Sequence, residues 1–309
     1  MNVAIDTTPL RLTRAGTARY LENLLERIPA RRLAFGGAGR ASVLARELAW
    51  YPFALSALRG VDVLHCPTYY GPLRPRVPTV VTVHDLAALR HPEWFPAWTR
   101  TYVPRVVPHT IRAATRVIAV SEFTARELEE LVGVPRTRIR VVPNGVDAVF
   151  TPEGPRADGD YVLAVGTLEP RKNLERVALA AKRAGVELRV VGEIGWGDVG
   201  AGTATWLGRV DDDELARLYR GARCLVYPSY YEGFGIPVAE ALACGTPVVT
   251  SRDSAMAELA GDAAVLVDPL DVEDIVRGIG AAQAPVGFVP PSWDETARLT
   301  RAVYEEAAA

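Results

Sequence analysis

The sequence predicts an α/β protein with two doubly wound, Rossmann-like domains, each a parallel sheet covered by helices on both faces. Short, apolar, β-branched segments alternate with helical patterns along most of the 309 residues, which is typical of parallel sheets. The alternation forms two series, separated at 144–160 by a segment rich in Gly, Pro and Asp. The charge changes at the same place. Residues 1–150 contain 20 Arg and 12 Asp/Glu, a net charge of +8, whereas residues 151–309 carry a net charge of −10.

The first series predicts a domain over residues 1–150. Its strands are expected in the segments NVAID, DVLHC, PTVVTVHD, RVIAVS and IRVVPN, which are short, apolar and β-branched. Helical patterns cover residues 18–27 and 122–131. Residues 30–60 receive no assignment, because the glycine-rich segment FGGAGRAS within them matches neither a periodic pattern nor a phosphate-binding motif.

The second series predicts a domain over residues 151–291. Its strands are expected in YVLAVGT, ELRVVGE, RCLVYPS, PVVTS and AAVLVD, with helices over 173–184, 213–220, 237–243 and 272–281. Ligands of open α/β sheets bind outside the carboxyl ends of the strands. The residues that directly follow the strands are therefore the candidate site residues.

Composition narrows the class of protein. The hydrophobic fraction of 49 % is sufficient for two cores, and three widely spaced cysteines form neither a disulfide framework nor a metal motif. With no visible signal peptide and no apolar run long enough to span a bilayer, we predict a cytoplasmic protein. The basic first half is compatible with an anionic substrate, with peripheral contact to an anionic membrane, or with ordinary solvated charge. We predict no nucleic-acid partner.

The segment GTLEPRKN follows the first predicted strand of the second domain. Gly166 ends that strand, and Arg171 and Lys172 precede a helix that is expected to begin near Asn173. Cationic side chains and free helix amides together bind anions such as a diphosphate. The helix dipole disfavours positive charge at this end, which favours a functional interpretation over an ordinary basic helix start.

The segment EGFGIPVAE places two carboxylates around a turn that opens a helix. Glu232 lies in the loop, whereas Glu240 is expected one turn into the helix that begins near Pro237. Gly233 and Gly235 permit backbone conformations that are closed to other residues. Carboxylates accept hydrogen bonds from hydroxyl groups, so this arrangement fits a polyhydroxylated ligand. The alternative for Glu240 is a simple partner of the helix dipole.

On these motifs the chain resembles the retaining glycosyltransferases of family four, which have the GT-B fold. The resemblance rests on Glu232 and Glu240 with seven residues between them, followed by CGTPVV. It also rests on PNGVD, GTLEPRKN, WLGRVDDDELARLYRGARCLVYPSYYEGFG and AAVLVDPLD in the same order. It implies two domains that face each other across a cleft, the first on the acceptor side and the second binding the nucleotide sugar. A C-terminal helix at 292–309 is expected to cross back to the first domain.

The resemblance also implies roles for residues of the second domain. Glu232 is expected to contact the donor sugar, Glu240 the ribose and Lys172 the diphosphate. The implied donor-binding residues are Gly16, Gly166, Thr167, Arg171, Lys172, Arg209, Val210, Phe234, Gly235 and Glu240. Many family members carry an arginine directly after the glycine, where this chain has Thr167. Either that position or Arg171 therefore supplies the second phosphate contact.

The first domain resembles the acceptor-side domain of the family. In LTRAGTARYLENLL, Gly16 lies in the glycine loop before the first helix, and VVTVHD ends a strand in His84. The matching family histidine lies near the donor sugar, so the implied catalytic residues are His84, Lys172 and Glu232. The alternative for His84 is a histidine held by local backbone. The implied acceptor-binding residues are His65, Tyr69 and Asp85.

No metal site and no cofactor are expected. The acidic segment 211–214 resembles a metal motif, but Asp is a natural cap for the helix that follows. We predict a retaining transferase that moves a sugar, with mannose weakly favoured, from a GDP- or UDP-sugar donor. The acceptor is a sugar, glycolipid or small molecule, in the synthesis of a surface polysaccharide, glycolipid or glycoside. The alternatives are a non-catalytic sugar-nucleotide-binding subunit and a GT-B epimerase or hydrolase.

Overall fold

A computed structural model of the chain describes residues 1–12, 16–37, 39–193, 195, 202 and 204–309. These residues form two compact units. Unit 1 comprises Met1–Gly145 with Pro291–Ala309, and unit 2 comprises Val146–Pro290. The division falls five residues before the predicted boundary at 150/151.

Unit 1 contains a parallel sheet of six described strands in the order β2-β1-β3-β4-β5-β6. The strands are β1 Val3–Asp6, β2 Arg31–Leu33, β3 Val63–Cys66, β4 Thr79–Val83, β5 Arg116–Ala119 and β6 Ile139–Val141. The helices are α1 Gly16–Arg27, α2 Arg40–Ala45, α3 Ala87–Arg90, α4 Ala97–Ala113 and α5 Glu122–Glu127. Helix α2 continues as a π-helical segment, Arg46–Ala54, and α5 as Leu128–Val132.

Unit 2 repeats this architecture with the strand order β12-β11-β10-β7-β8-β9, also parallel. The strands are β7 Tyr161–Val165, β8 Glu187–Val191, β9 Thr205–Gly208, β10 Cys224–Tyr227, β11 Val248–Ser251 and β12 Val265–Val267. The helices are α6 Leu174–Ala184, α7 Asp212–Gly221, α8 Ile236–Ala243, α9 Ala255–Ala260 and α10 Val272–Ala281. Two hydrophobic clusters fill the faces of this sheet.

The last helix, α11 Trp293–Ala308, belongs to unit 1. Trp293 and Tyr304 pack into a cluster with residues of α1, β1, β3, β4 and β5. The backbone at Gly145 lies close to the first residue of this helix, Trp293. A Cβ on Gly145 would lie 2.4 Å from the backbone nitrogen of Trp293, so only glycine fits there. The C-terminal helix thus completes one face of the unit 1 core.

The predicted α/β class with two doubly wound sheets is confirmed, and ten strands lie where they were predicted. Strands β2 and β9 were not predicted as strands. Both are short edge strands, and RRL and TWLG lack the continuous apolar character of buried strands. Helix α4 was also not predicted, because Pro104 and Pro108 lie within it. Among the described residues, no helix is both long and apolar enough to span a bilayer.

Each sheet has a topological switch point, where the connections from two neighbouring strands lead to opposite sides of the sheet. In unit 2 these strands are β7 and β10: the chain leaves β7 toward β8 and leaves β10 toward β11. A crevice at the carboxyl ends of two such strands is the usual ligand site of a doubly wound sheet. The loops that begin at Gly166 and Pro228 meet at this point.

Candidate functional site

Two loops of unit 2 bring three predicted site residues into direct contact. Arg171 and Lys172 follow β7, and Glu232 follows β10. The Nζ of Lys172 donates a hydrogen bond to Oε1 of Glu232, and Nη1 of Arg171 lies 3.0 Å from Oε2 of the same carboxylate. Each oxygen of Glu232 therefore faces one cation. Glu232 is the counter-anion of the two groups that were expected to bind a diphosphate.

Two further residues complete this cluster and were missed in the sequence. Nε of Arg171 lies 2.7 Å from Oε1 of the buried Glu169. The hydroxyl of Tyr227 accepts a hydrogen bond from Lys172 and donates one, 3.1 Å long, to Glu232. Glu169 lies inside GTLEPRKN, and Tyr227 is the last residue of β10. Their positions close to predicted site residues were the available signal. We call these five residues, Glu169, Arg171, Lys172, Tyr227 and Glu232, the cation cluster.

The electrostatics of the cation cluster keep Glu232 ionised. Burial alone would raise the pKa of Glu232. The charges of Arg171 and Lys172, together with hydrogen bonds from Lys172 and Tyr227, outweigh burial and lower this pKa to about 2. Burial raises the pKa of Glu169, against the opposing charge of Arg171. A carboxylate with a pKa near 2 does not donate a proton at neutral pH. In this arrangement Glu232 can therefore accept hydrogen bonds and hold charge, but it does not serve as a proton donor.

Asn173 fixes the loop that carries the two cations. Its backbone is left-handed, with φ of 58°, directly before α6. Its Nδ2 donates hydrogen bonds to the carbonyls of Pro228 and Pro269, at 3.0 and 2.7 Å, and its Oδ1 accepts one from Tyr230 at 2.6 Å. The buried Asn173 side chain thus ties the loop after β7 to the loop after β10. This connection holds Arg171 and Lys172 opposite Glu232.

Glycines allow the backbone to turn at the carboxyl ends of the strands. Gly235 has φ of 96°, and a Cβ there would lie 2.6 Å from Cγ of Met256. Both the conformation and the close contact require glycine immediately before α8. Gly166 directly follows β7, and together with Thr167, Lys172 and Tyr227 it lines a cavity of about 20 Å³. The expected donor residues Gly166, Thr167 and Lys172 therefore share one surface.

The remaining predicted donor residues of unit 2 lie outside the cation cluster. Glu240 is buried on α8 and accepts a hydrogen bond of 3.1 Å from the hydroxyl of Tyr219. Phe234 is buried in the loop before α8. Arg209 is exposed and lies 3.3 Å from Glu193, whereas Val210 packs partly against the core. Their roles toward a donor stay predictions.

The predicted residues of unit 1 occupy different environments. His84 directly follows β4, its Nε2 lies 3.1 Å from the carbonyl oxygen of Pro67, and its ring packs edge-on against Tyr20. The carbonyl requires a proton on Nε2, which makes Nδ1 the acceptor of the neutral ring. Asp85 accepts a hydrogen bond from the amide of Ala87 at the start of α3. Tyr69 is half-buried beside Tyr70.

The expectation for His65 is wrong. The residue is fully buried, with Nε2 2.8 Å from Oγ1 of Thr82 and Nδ1 2.7 Å from the hydroxyl of Tyr304. Burial and the neighbouring His84 lower its pKa to about 3, so it is neutral. Both ring nitrogens are used inside unit 1, and neither can reach an acceptor. His65 instead connects β3 to α11.

Gly16 is the first residue of α1 and is exposed. Residues 13–15 of the predicted glycine loop lie outside the described residues.

The acidic segment 211–214 has a structural role. Asp211 is the N-cap of α7, and its Oδ1 accepts a hydrogen bond of 2.8 Å from the amide of Glu214. Within the part of the chain that the structure describes, no group of three His, Cys, Asp or Glu side chains is arranged to hold a metal ion.

Two doubly wound units, each built on a parallel six-stranded sheet, match the GT-B class of fold. The chain belongs to the family-four glycosyltransferases. Residues 15–150 match the family described as Glycosyltransferase Family 4, and residues 147–282 match the one described as Glycosyl transferases group 1.

Curated relatives agree with this assignment. The chain is 33 % identical to an O-antigen chain mannosyltransferase B of Escherichia coli over 69 % of this chain and 63 % of the relative. It is 28 % identical to an MMP α-(1→4)-mannosyltransferase of Mycolicibacterium hassiacum over 75 % of this chain and 66 % of the relative. The matched part thus spans slightly less than two thirds of these relatives.

The fold is shared with solved structures. A sucrose-phosphate synthase of Thermosynechococcus elongatus superposes with a TM-score of 0.67 at 18 % identity, over 100 % of this chain and 96 % of the other. The Anabaena protein HepE, solved with UDP and glucose, superposes with a TM-score of 0.67 at 17 % identity, over 99 % and 94 %. Both establish the fold.

Proposed function

We propose that the chain is a retaining, metal-independent hexosyltransferase that moves a sugar from a nucleoside-diphosphate sugar to an acceptor hydroxyl. The observation that carries this proposal is the cation cluster at the switch point of unit 2. Two adjacent, partly buried cations, Arg171 and Lys172, provide the charge that a diphosphate needs. Mannose is the favoured sugar, because three relatives are described as mannosyltransferases. The acceptor is a sugar, glycolipid or small molecule in polysaccharide or glycoside synthesis.

Donor binding in this proposal is an exchange of anions. The diphosphate takes over the contacts that Arg171 and Lys172 now make with Glu232. Glu232 is then free to accept hydrogen bonds from hydroxyl groups of the donor sugar, which is its expected partner. Glu240 is assigned to the ribose, and the exposed Arg209 and the adjacent Val210 to the base. Arg171, rather than the uncharged Thr167, supplies the second phosphate contact.

The chemical step breaks the bond between the anomeric carbon and the diphosphate oxygen and forms a bond to the acceptor oxygen on the same face. The proton of the acceptor passes to the leaving phosphate oxygen. Negative charge grows on the diphosphate as the sugar becomes oxocarbenium-like, and Arg171 and Lys172 stabilise that charge in a preorganised position. Nδ1 of His84 is assigned to a donor-sugar hydroxyl, whereas Tyr69 and Asp85 are assigned to the acceptor.

Three free, buried cysteines fit the predicted cytoplasmic location.

The test combines binding and turnover. Calorimetry with GDP, UDP and their sugars should show binding to the wild-type chain, and Lys172→Ala should weaken binding of the diphosphate and of the sugar nucleotide together. Lys182→Ala is the matched control, because Lys182 is exposed in the last turn of α6, at the opposite end of this helix from the loop. Product analysis with and without acceptors then separates transfer from donor hydrolysis. Diphosphate binding to Lys172→Ala that equals wild type would exclude the proposed site.

A further inference from the structure

The helical segment at 41–57 of unit 1 has an unusual distribution of polarity. It comprises most of α2, the π-helical segment Arg46–Ala54 and a short 3₁₀ turn, Leu55–Ala57. All exposed residues of this segment are apolar: Ala41, Leu44, Ala45, Leu48, Ala49, Phe53, Ala54 and Ala57. A helix on the surface of a water-soluble unit normally presents polar side chains to solvent. We call these eight residues the apolar face.

The charged residues of the same segment point inward. Arg46 and Glu47 are 6 % and 9 % exposed. Nη1 of Arg46 donates a hydrogen bond of 3.2 Å to the carbonyl of Gly37, and the carboxylate of Glu47 accepts one from Nε1 of Trp98. Internal partners therefore hold both charges, and neither can make the outer face polar. The segment therefore has buried charged residues and exposed apolar residues, and internal hydrogen bonds hold the charged residues in place.

The apolar face includes large side chains. Phe53 is 65 % exposed, Leu48 is 52 % exposed and Leu44 is 44 % exposed. Trp98, whose Nε1 donates a hydrogen bond to Glu47 of this segment, is 43 % exposed. Clustered exposure of this kind marks a surface that meets a partner or a membrane. A half-exposed tryptophan with a bonded N–H is typical of the boundary between an apolar phase and water.

A basic groove adjoins the apolar face. The groove has a volume of about 750 Å³ and is lined by Pro52, Phe53, Ser56, Ala57, Leu73, Arg74, Pro75 and Arg76. Phe53 therefore belongs to both surfaces. Arg74 and Arg76 are exposed, and no Asp or Glu occurs among the described residues that line the groove. The groove thus pairs an apolar wall with two guanidinium groups, which bind phosphates well.

We propose that the apolar face and the basic groove form a surface that binds membranes containing anionic lipid. Phe53, Leu48 and Trp98 enter the boundary between headgroups and acyl chains, while Arg74 and Arg76 pair with lipid phosphates. A second copy of the chain is the less suitable partner, because symmetric pairing of this face would bring the arginines of both copies together. This surface lies in unit 1 and shares no residue with the cation cluster of unit 2.

The experiment is sedimentation of the full chain with vesicles of phosphatidylcholine alone or mixed with phosphatidylglycerol. The wild-type chain should bind the mixed vesicles at low salt and be released as salt rises. Leu48→Glu/Phe53→Ser and Arg74→Ala/Arg76→Ala should each weaken binding by at least about 10-fold. The matched controls in unit 2 are Leu270→Glu and Arg277→Ala, which replace an exposed leucine and an exposed arginine and should bind as wild type.

Several outcomes would overturn the proposal. One is a wild-type chain that does not bind mixed vesicles at low salt, and another is a Leu48→Glu/Phe53→Ser variant that binds them normally. A third is a dimer that forms without lipid and dissociates in that variant. Nucleoside-diphosphate affinity measured on all variants should stay unchanged. This readout separates failure of the membrane surface from failure of the proposed transferase.

Discussion

Glu232 is the residue whose expected behaviour changes most once its neighbours are known. From its loop position alone, Glu232→Gln should lower turnover and leave nucleoside-diphosphate affinity nearly unchanged. The structure shows Glu232 as the counter-anion of both Arg171 and Lys172. A diphosphate must therefore compete with this carboxylate for the same cations. Removing the charge of Glu232 removes the competitor.

We accordingly expect Glu232→Gln to raise affinity for a free nucleoside diphosphate by about 10-fold, on the order of 1.4 kcal/mol. The same variant should lower kcat by at least about 10-fold, because contacts that tighten in the transition state are weakened. Calorimetry and steady-state kinetics measure the two effects. Glu187→Gln is the control, since Glu187 pairs with Arg189 at the start of β8. Affinity that falls in Glu232→Gln would show that the carboxylate does not compete with the diphosphate.

Asp6 is a second residue with testable behaviour, in unit 1. Its side chain is fully buried at the end of β1, where Oδ1 accepts hydrogen bonds from the amide and hydroxyl of Thr8. Its Oδ2 has no hydrogen-bond partner among the residues that the structure describes. Burial outweighs the hydrogen bonds from Thr8 and raises the pKa of Asp6 to about 6, above its ordinary value of 3.8.

A raised pKa on an acid means that the folded state holds its proton more tightly than the unfolded state. The contribution of Asp6 to the stability of the folded state should therefore fall as pH rises from about 4 to about 6, by about 3 kcal/mol at most, and this loss should persist above pH 6. Asp6→Asn keeps the acceptor for Thr8 and removes the titration. The free energy of unfolding of Asp6→Asn should therefore increase relative to that of the wild type as pH rises from about 4 to about 6. A difference that is independent of pH would contradict the assignment.

At the scale of elements, the start of α6 depends on one asparagine. Asn173 combines a left-handed backbone with hydrogen bonds to two carbonyls and to Tyr230. Asn173→Ala should lower the free energy of unfolding of unit 2 by about 2–3 kcal/mol, from lost hydrogen bonds and from backbone strain. Asn173→Gly should recover about 1 kcal/mol of this, because glycine adopts positive φ freely.

Asp253 provides a matched control for the backbone contribution. It is exposed and has φ of 52°, so Asp253→Ala should cost only about 1 kcal/mol. Urea unfolding followed by hydrogen exchange in β7 and β10 measures all three variants. Equal stability of Asn173→Ala and Asp253→Ala would mean that the side-chain hydrogen bonds of Asn173 contribute nothing.

At the scale of the whole molecule, unit 1 is completed by residues that are last in the chain. Helix α11 packs on β3, β4 and β5, and the hydroxyl of Tyr304 bonds to the buried His65. A chain ended after Pro290 would expose the cluster around Tyr20 and Ile118 to water. The unit 1 sheet would also lose a partner for a buried imidazole, which is costly.

Truncation after Pro290 should therefore abolish the protection of amide hydrogens in β3, β4 and β5, while protection in β7, β8 and β10 persists. Hydrogen exchange with mass spectrometry reads both sheets in one sample. A chain ended after Ala307 is the control, because it retains Trp293, Tyr304 and Ala307 of the packed helix face. Retained protection in β3–β5 after the longer truncation would show that unit 1 folds without its last helix.

The sequence by itself determined the class of fold, the positions of ten strands and the composition of the two loops at the switch point of unit 2. These features are local, because strand periodicity, helix caps and glycine turns are encoded by residues close together in the chain. Arg171, Lys172 and Glu232 could therefore be selected as candidates from GTLEPRKN and EGFG alone. Edge strands β2 and β9 lacked this local signal.

Only the tertiary structure decided which groups are in contact and which reach solvent. Glu169 and Tyr227 join the cation cluster because β7 and β10 are neighbouring strands. The two residues themselves are 58 positions apart in the chain. His65 is excluded from a binding role because α11, more than 200 residues later, supplies the hydroxyl that uses its second nitrogen. The outward apolar face at 41–57 likewise exists because internal partners use Arg46 and Glu47. Burial and pairing depend on contacts distant in the chain, and no local pattern encodes them.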